Sequence, residues 1–191
     1  EGLTDSSAAL NRMLGLCEDF LSCFPNPENP ANRYLSTSDS IKYTTALCAC
    51  FYQFFIQSQN RKDIPAPDLS CQDVYKQKSL LLFSCDISGI QKFIYTVSGE
   101  GVLKSLRSRS FYLDMLLDHV LNSILRESDL SVANIIYSGG GRSYMLLANT
   151  EDTKKLVRSA MQSVNDWLLD AFDISLYLSS GWAECTAEEM F

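Results

Sequence analysis

Among the 191 residues there is one histidine, His119. It falls in the middle of a helical stretch beside polar residues. With no histidine or cysteine partner, it is not expected to bind metal or to serve nucleophilic chemistry. Positive charge is also short: 16 Lys and Arg stand against 23 Asp and Glu, a formal net charge of -7. That balance argues against indiscriminate binding to nucleic acid or to an anionic membrane, so any such contact has to be local or supplied by a partner. Long apolar runs are missing as well. The longest, Ala46–Ile56, contains Gln53 and is too short to span a bilayer. The N-terminal stretch has no basic start followed by an apolar core, so no signal peptide is read there. No membrane association is expected, and the location expected is cytoplasmic. Metal-ligand spacing is absent from the cysteines too. Cys17, Cys23, Cys48, Cys50, Cys71, Cys85 and Cys185 are odd in number, and Cys48 and Cys50 lie in an apolar helical pattern. They are expected to be reduced, intracellular and mostly buried thiols that behave as small hydrophobes, not a zinc site.

What is present is the composition of an ordinary globular protein, 46% hydrophobic and 20% charged, long enough for one ample domain with or without a smaller helical piece. The pattern breaks at Arg61–Asp73, where two prolines and several turn formers interrupt it. The division expected is a helical segment at 1–60, a linker at 61–75 and a main domain at 76–191. In the first segment, Ser7–Phe24 and Ser40–Gln57 read as helices, with Asp39 or Ser40 as the cap of the second and an irregular proline-rich span between them. In the main domain, Ser79–Ile87 is a continuous apolar run, as expected of a strand buried on both faces. Leu103–Ser128 reads as a long helix with Asp114, Asp118, Asn122 and Arg126 on its solvent stripe. Two apolar runs around Gly139, Gly140 and Gly141 read as hairpin strands. A helix follows, capped by Asn149 or Thr150, with acids in its first turn and Leu156, Ala160, Val164, Trp167 and Ala171 on its apolar face. The last strand alternates Ile174, Leu176 and Leu178 with Ser175, Tyr177 and Ser179. The order β-α-β-β-α-β predicts an α+β fold of the ferredoxin-like kind: a four-stranded antiparallel sheet with two helices on one face.

That plan brings distant residues together. Asp86 ends the first strand, and the plan sets it beside the glycine hairpin more than fifty residues away. Ser88-Gly89 then opens a short helix whose backbone N–H groups suit a phosphate. The glycines would let a nucleotide approach the backbone with no side chain in the way. The same two glycine turns are also what tight turns require, and both readings stay open at this point. Lys104, Arg107 and Arg109 precede the long helix and Arg142 follows the glycines; they are candidates for phosphate or RNA contact, or form a solvated basic face.

The strings "CDISGIQKFIY", "LRSRSFYLDMLLDHV", "IIYSGGGRSYMLL" and the final "SGW", in that order from Leu80 to Trp182, resemble the first Palm domain of a known family. It is the large polymerase-like subunit of type III CRISPR–Cas effector complexes, subtype III-A branch. The helices before it, "FLSCFPNP" and "YLSTSDSIKYTTALCACFY", resemble the end of that family's HD domain. The resemblance implies a subunit with an HD nuclease for single-stranded DNA and two Palm domains that bind ATP and join it into cyclic oligoadenylates in antiviral defence. It implies nucleotide binding at Asp86, Ser88, Gly89, Gln91, Ser138, Gly139, Gly140 and Gly141. The metal-binding Gly-Gly-Asp-Asp hairpin belongs to the second Palm; here Gly141 and Arg142 hold the positions of its two aspartates. No catalytic residue is therefore expected in this chain, no metal ligand either, and Mg or Mn is expected only with the second Palm. Where the family has Asp-His, this chain has Asp39-Ser40, so the HD metal cluster is not expected. The partners implied are the second Palm domain, guide RNA, other effector subunits and, indirectly, target RNA. The chain holds no cysteine-rich insertion, second Palm or C-terminal helical domain, as expected of a piece of a larger subunit or of a reduced relative. Two further readings are a structural scaffold that docks guide RNA and neighbouring subunits, and a stand-alone cyclase-like nucleotide-binding domain.

Overall fold

The computed structural model describes residues 2–26, 36–59, 75–96 and 102–190. In chain order its elements are α1 (Gly2–Leu21), α2 (Thr37–Gln59), β1 (Leu80–Ser88), α3 (Ile90–Tyr95), α4 (Val102–Glu127), β2 (Ile135–Gly139), β3 (Arg142–Ala148), α5 (Glu151–Phe172) and β4 (Tyr177–Cys185). Short 3-10 turns sit at Val132–Asn134 and Asp173–Ser175. The break expected at Arg61–Asp73 lies outside the described residues, as do Cys71 and most of the proline-rich span.

Strand β1 is interior to the sheet, with a partner on each side, as β3 also has. It runs antiparallel to β3 and to β4, and β2 completes the order β2-β3-β1-β4. This is the ferredoxin-like α+β plan, and its physical origin is the pleat. Leu81, Phe83, Cys85 and Ile87 share one face of β1 and enter the main core with Leu117, Leu121 and Ile124 of α4 and Val157, Met161 and Leu168 of α5. Thr150 caps α5, its side chain accepting a hydrogen bond from the Thr153 N–H at 3.1 Å. Asp114, Asp118, Asn122 and Arg126 of α4 are all exposed, as a solvent stripe should be.

Several expectations need correction. Strand β1 is not buried on both faces: Leu82, Ser84 and Asp86 are half-buried, because the second helical layer reaches one end of the sheet. That layer is α2, whose Ala46, Cys50, Phe51 and Phe55 pack on Leu80, Ala133, Leu146 and Ala148. Asn134, fully buried, anchors it: its Nδ2 donates to the Leu146 carbonyl at 2.8 Å and also reaches the Cys50 sulfur. The cap of α2 is Ser36, not Asp39 or Ser40. Its hydroxyl accepts from the Asp39 N–H at 3.1 Å and donates to the Asp39 carboxylate at 2.7 Å, a reciprocal pair that fixes the first turn. The buried stripe of α5 is one residue out of phase with expectation. Thr153, Val157, Met161 and Leu168 are buried, Leu156, Ala160 and Val164 flank them, and Trp167 and Ala171 are exposed. Ile174 is 90% exposed, since it belongs to a 3-10 turn before β4 and never joins the alternation of Leu176 and Leu178. The thiols are not mostly buried: Cys50 and Cys85 are, Cys17 and Cys185 are intermediate, and Cys23 and Cys48 are exposed. Burial pushes the Cys50 thiol up to about 12 and the Cys85 thiol up to about 11.

Candidate functional site

The face of the sheet turned away from α4 and α5 carries polar residues towards the C-terminal end of β1. Asp86 faces this way, directly opposite Arg142 on β3 and Ser179 on β4. An Arg142 Nη2–H donates to Asp86 Oδ2 at 3.2 Å, and the Ser179 hydroxyl donates to the Asp86 carbonyl at 2.9 Å. The Asp86–Arg142 pair is open to solvent, with 38% and 55% of the respective side chains exposed. Hydrogen bonding to Asp86 holds the Arg142 guanidinium above even its usual high value, so it stays charged.

The glycine hairpin closes over this edge. Gly140 and Gly141 adopt φ of 61° and 84°, the two left-handed positions of a type I′ turn, whose twist matches that of the flanking strands. The turn does not end in solvent: the Ile87 N–H donates to the Gly141 carbonyl at 2.8 Å. Asp86 and the glycines are therefore neighbours, as the fold plan requires. Their glycines differ in kind, however. A Cβ on Gly141 would strike the Ile90 side chain, and one on Gly89, at φ 90°, would run into the Ser175 carbonyl oxygen of the α5–β4 connection. Gly89 is thus required by packing against backbone, whereas at Gly141 the clash is with the end of a flexible side chain and it is the φ of 84° that favours glycine. A Cβ on Gly140 would meet nothing, so the one open approach to the hairpin backbone is there.

The other expected residues divide by position. Ser88, Gly89 and Gln91 are exposed around the start of α3, and Ser88 shares the phase of Asp86 on β1. Ser138 pairs with Ser143 and so belongs to the opposite phase from Asp86. Lys104 and Arg107 are exposed near the start of α4. Arg109 is tied down: its guanidinium donates to the Phe93 carbonyl and stacks over the Phe93 ring with its carbon 5.2 Å from the centroid, joining α4 to α3. Sequence reasoning missed Tyr137 and Tyr144, whose rings lie 6.3 Å apart on the same open face as Arg142. It also missed Ser179. The alternation along β3 puts Tyr144 in phase with Arg142, but pairing it with Tyr137 needs the bulge in β2 between Ile135 and Tyr137, which has no sequence mark.

A divalent metal does not fit these residues. Such an ion needs several oxygen ligands; among the described residues no group of three or more candidate ligands gathers, and Asp86 is already bound by a guanidinium. At Gly140 the hairpin backbone itself is left uncovered.

The family model for Csm1 subunit domain B matches residues 79–191. The Cas10/Csm1 single-strand-specific deoxyribonuclease (subtype III-A) of Mycobacterium tuberculosis is 38% identical over 98% of this chain, and that of Enterococcus italicus is 36% identical over 82%. The chain spans 23% and 21% of those two proteins. Among solved structures, the Csm1–Csm4 cassette in complex with pppApA superposes with a TM-score of 0.80 at 29% identity, covering 94% of this chain and 24% of that one. The same cassette in complex with one ATP gives a TM-score of 0.78 at 29% identity, covering 94% and 23%.

Proposed function

Since the chain belongs to the Cas10/Csm1 family of subtype III-A CRISPR systems, we propose that it is the nucleotide-binding, non-catalytic Palm half of that subunit. In this reading it orients ATP for cyclic oligoadenylate synthesis together with a second Palm that carries the metal-binding hairpin. The observation that carries it is the pairing of Asp86 with Arg142 beneath an open Gly140. A polymerase-like site transfers a phosphoryl or nucleotidyl group by holding divalent metals between carboxylates, and those metals neutralise charge that develops on the phosphates. On this reading the glycine hairpin serves as a cradle, while Gly141 and Arg142 stand where the carboxylate pair would be. Its residues bind and orient: backbone at Ser88-Gly89 and Gly139–Gly141 lies close to the ligand, and Arg142 lends positive charge. The superposition on Csm1–Csm4 cassettes in complex with ATP supports this reading. It also favours another effector subunit as neighbour. Guide RNA and a cytoplasmic setting belong to the same proposal.

The scaffold reading makes a different forecast for Gly140, which separates the two. Asn tolerates the left-handed backbone, and at 140 its side chain meets no protein atom, so Gly140→Asn keeps the turn and fills the approach. The expected outcome is at least a tenfold loss of ATP affinity by calorimetry, with the far-UV spectrum and subunit assembly unchanged. Unchanged ATP binding in a folded Gly140→Asn chain would leave the glycines as turns and favour the scaffold.

A further inference from the structure

The residue that disagrees most sharply with a metal site is Arg142. We propose that Arg142 is the built-in cation of this sheet edge: it keeps a divalent metal off Asp86, and it is the group that meets the phosphates of a bound nucleotide. The second half of this role rests on the nucleotide reading above; the first half stands without it.

The register carries the first half. Asp86 and Arg142 sit directly opposite each other on antiparallel strands, where Cβ atoms are about 4.5–5.5 Å apart. Two carboxylates so placed would share one ion. With a guanidinium as one of the two, a nitrogen lies 3.2 Å from Asp86 Oδ2, and a metal on either oxygen of that carboxylate, at about 2.0–2.6 Å, would sit beside a fixed positive charge. Two cations on one carboxylate repel each other. The hairpin adds no second carboxylate to draw the metal in, since it contributes Gly139, Gly140 and Gly141. The pair is also held from the backbone side, because Ser179 binds the Asp86 carbonyl and Gly141 binds the Ile87 N–H.

The second half follows from what the pair leaves free. A guanidinium has five N–H donors, more than its contacts with Asp86 and Tyr144 use. Half of the Arg142 side chain is exposed, on the residue that follows the open turn at Gly140. A planar fork of spare donors is suited to a phosphate, and more so than a lysine would be. Arg142 also lies beside the Tyr144 and Tyr137 rings, so charge and aromatic surface adjoin.

Two measurements on the purified chain test the two halves separately. The first titrates Mn2+ alone and reads free ion by electron paramagnetic resonance. Arg142→Asp should hold Mn2+ at least tenfold more tightly than the wild type, and adding Asp86→Asn should abolish the gain. A wild-type chain that binds Mn2+ through Asp86 would overturn metal exclusion, as would a folded Arg142→Asp without gain. Should Arg142→Asp fail to fold, Arg142→Asn tests the same point, with at least a threefold gain expected and none overturning it. The second measurement titrates inorganic tripolyphosphate in the presence of a chelator. The wild type should bind at least tenfold more tightly than Arg142→Ala; equal binding overturns the phosphate role. Absence of binding in every form would overturn that role and the nucleotide reading together, while a Mn2+ gain in Arg142→Asp would still uphold metal exclusion.

Discussion

On one face of β1, Leu81, Phe83, Cys85 and Ile87 are all buried; on the other, Leu82, Ser84, Asp86 and Ser88 are half-buried or exposed. The two sets alternate along nine residues, so a shift of a single position moves from core to candidate site. The first set packs against α4 and α5 and is continuous with most of the buried apolar surface. The second set is covered by α2 at the Leu80 end and left bare at the Asp86 end, where the hairpin and Arg142 lie. Stability and the proposed ligand chemistry therefore fall on interleaved residues of one strand, and substitutions should separate them cleanly.

The largest effect belongs to the buried face. Phe83 is fully buried in the middle of β1, paired with Met145 and Trp182 on its neighbours. Phe83→Ala should destabilise the chain by about 3–5 kcal/mol in chemical denaturation, through lost transfer energy and the cavity left behind. A change under about 1 kcal/mol would mean that the face is far less tightly packed than its burial implies. Next comes Gly89, which looks like part of the site but is required by packing. Gly89→Ala places a Cβ on the Ser175 carbonyl at a φ of 90°, and should cost about 2 kcal/mol or more. If Gly89→Ala instead left stability intact and abolished ATP binding, Gly89 would move from the packing side of the comparison to the site.

The thiols sharpen the contrast by pH. Cys85 faces the core and burial pushes it up to about 11; Cys50, on the buried face of α2, is pushed up to about 12, both from an ordinary 9.0. Their stabilising contribution is fully present below the unfolded value. As pH rises above about 9 the unfolded chain releases these protons and the folded chain does not, so stability falls, by up to about 1.4 kcal/mol per pH unit per thiol. The fall ends near 11 for Cys85 and near 12 for Cys50. Denaturation series of Cys85→Ala and Cys50→Ala between pH 8 and 10.5 should each show a shallower decline than the wild type. An unchanged slope would contradict burial of the thiol concerned.

The element order was legible because each element has its own period, and the hairpin because Gly139–Gly141 sits between two apolar runs. The neighbourhood of Asp86 and the hairpin followed from chain order plus right-handed crossovers. What was not legible depends on contacts between distant parts of the chain. That Leu80 is covered and Leu82 is half-open follows from where α2 lands, through Asn134 and Leu146, and no local pattern encodes that. Nor could the string "SG" show that Gly89 packs on Ser175, eighty-six positions away. The α5 stripe slipped because Leu156 and Val157 are both apolar, and the side chain that meets the sheet is decided by the helix's rotation against it. Arg142 read as one basic residue among four until the register set it opposite Asp86.

The smallest effect, and the one that tests the open face most directly, is expected from Asp86→Ala. The pair with Arg142 is solvent-exposed, and such pairs contribute little to folding, so the Tm should not move measurably. Binding is set by two opposed consequences. Removing the carboxylate takes a negative charge away from the place where phosphates would sit, which favours them. It also releases Arg142 from the carboxylate that holds its guanidinium over the edge, and re-ordering that long side chain then opposes binding. The two should nearly cancel, leaving ATP affinity weakened by no more than about threefold in calorimetry. Complete loss of binding would mean that Asp86 holds an essential metal after all. The open face would then be a metal site that Arg142 vacates, and the division drawn along β1 would stand with its chemistry reversed.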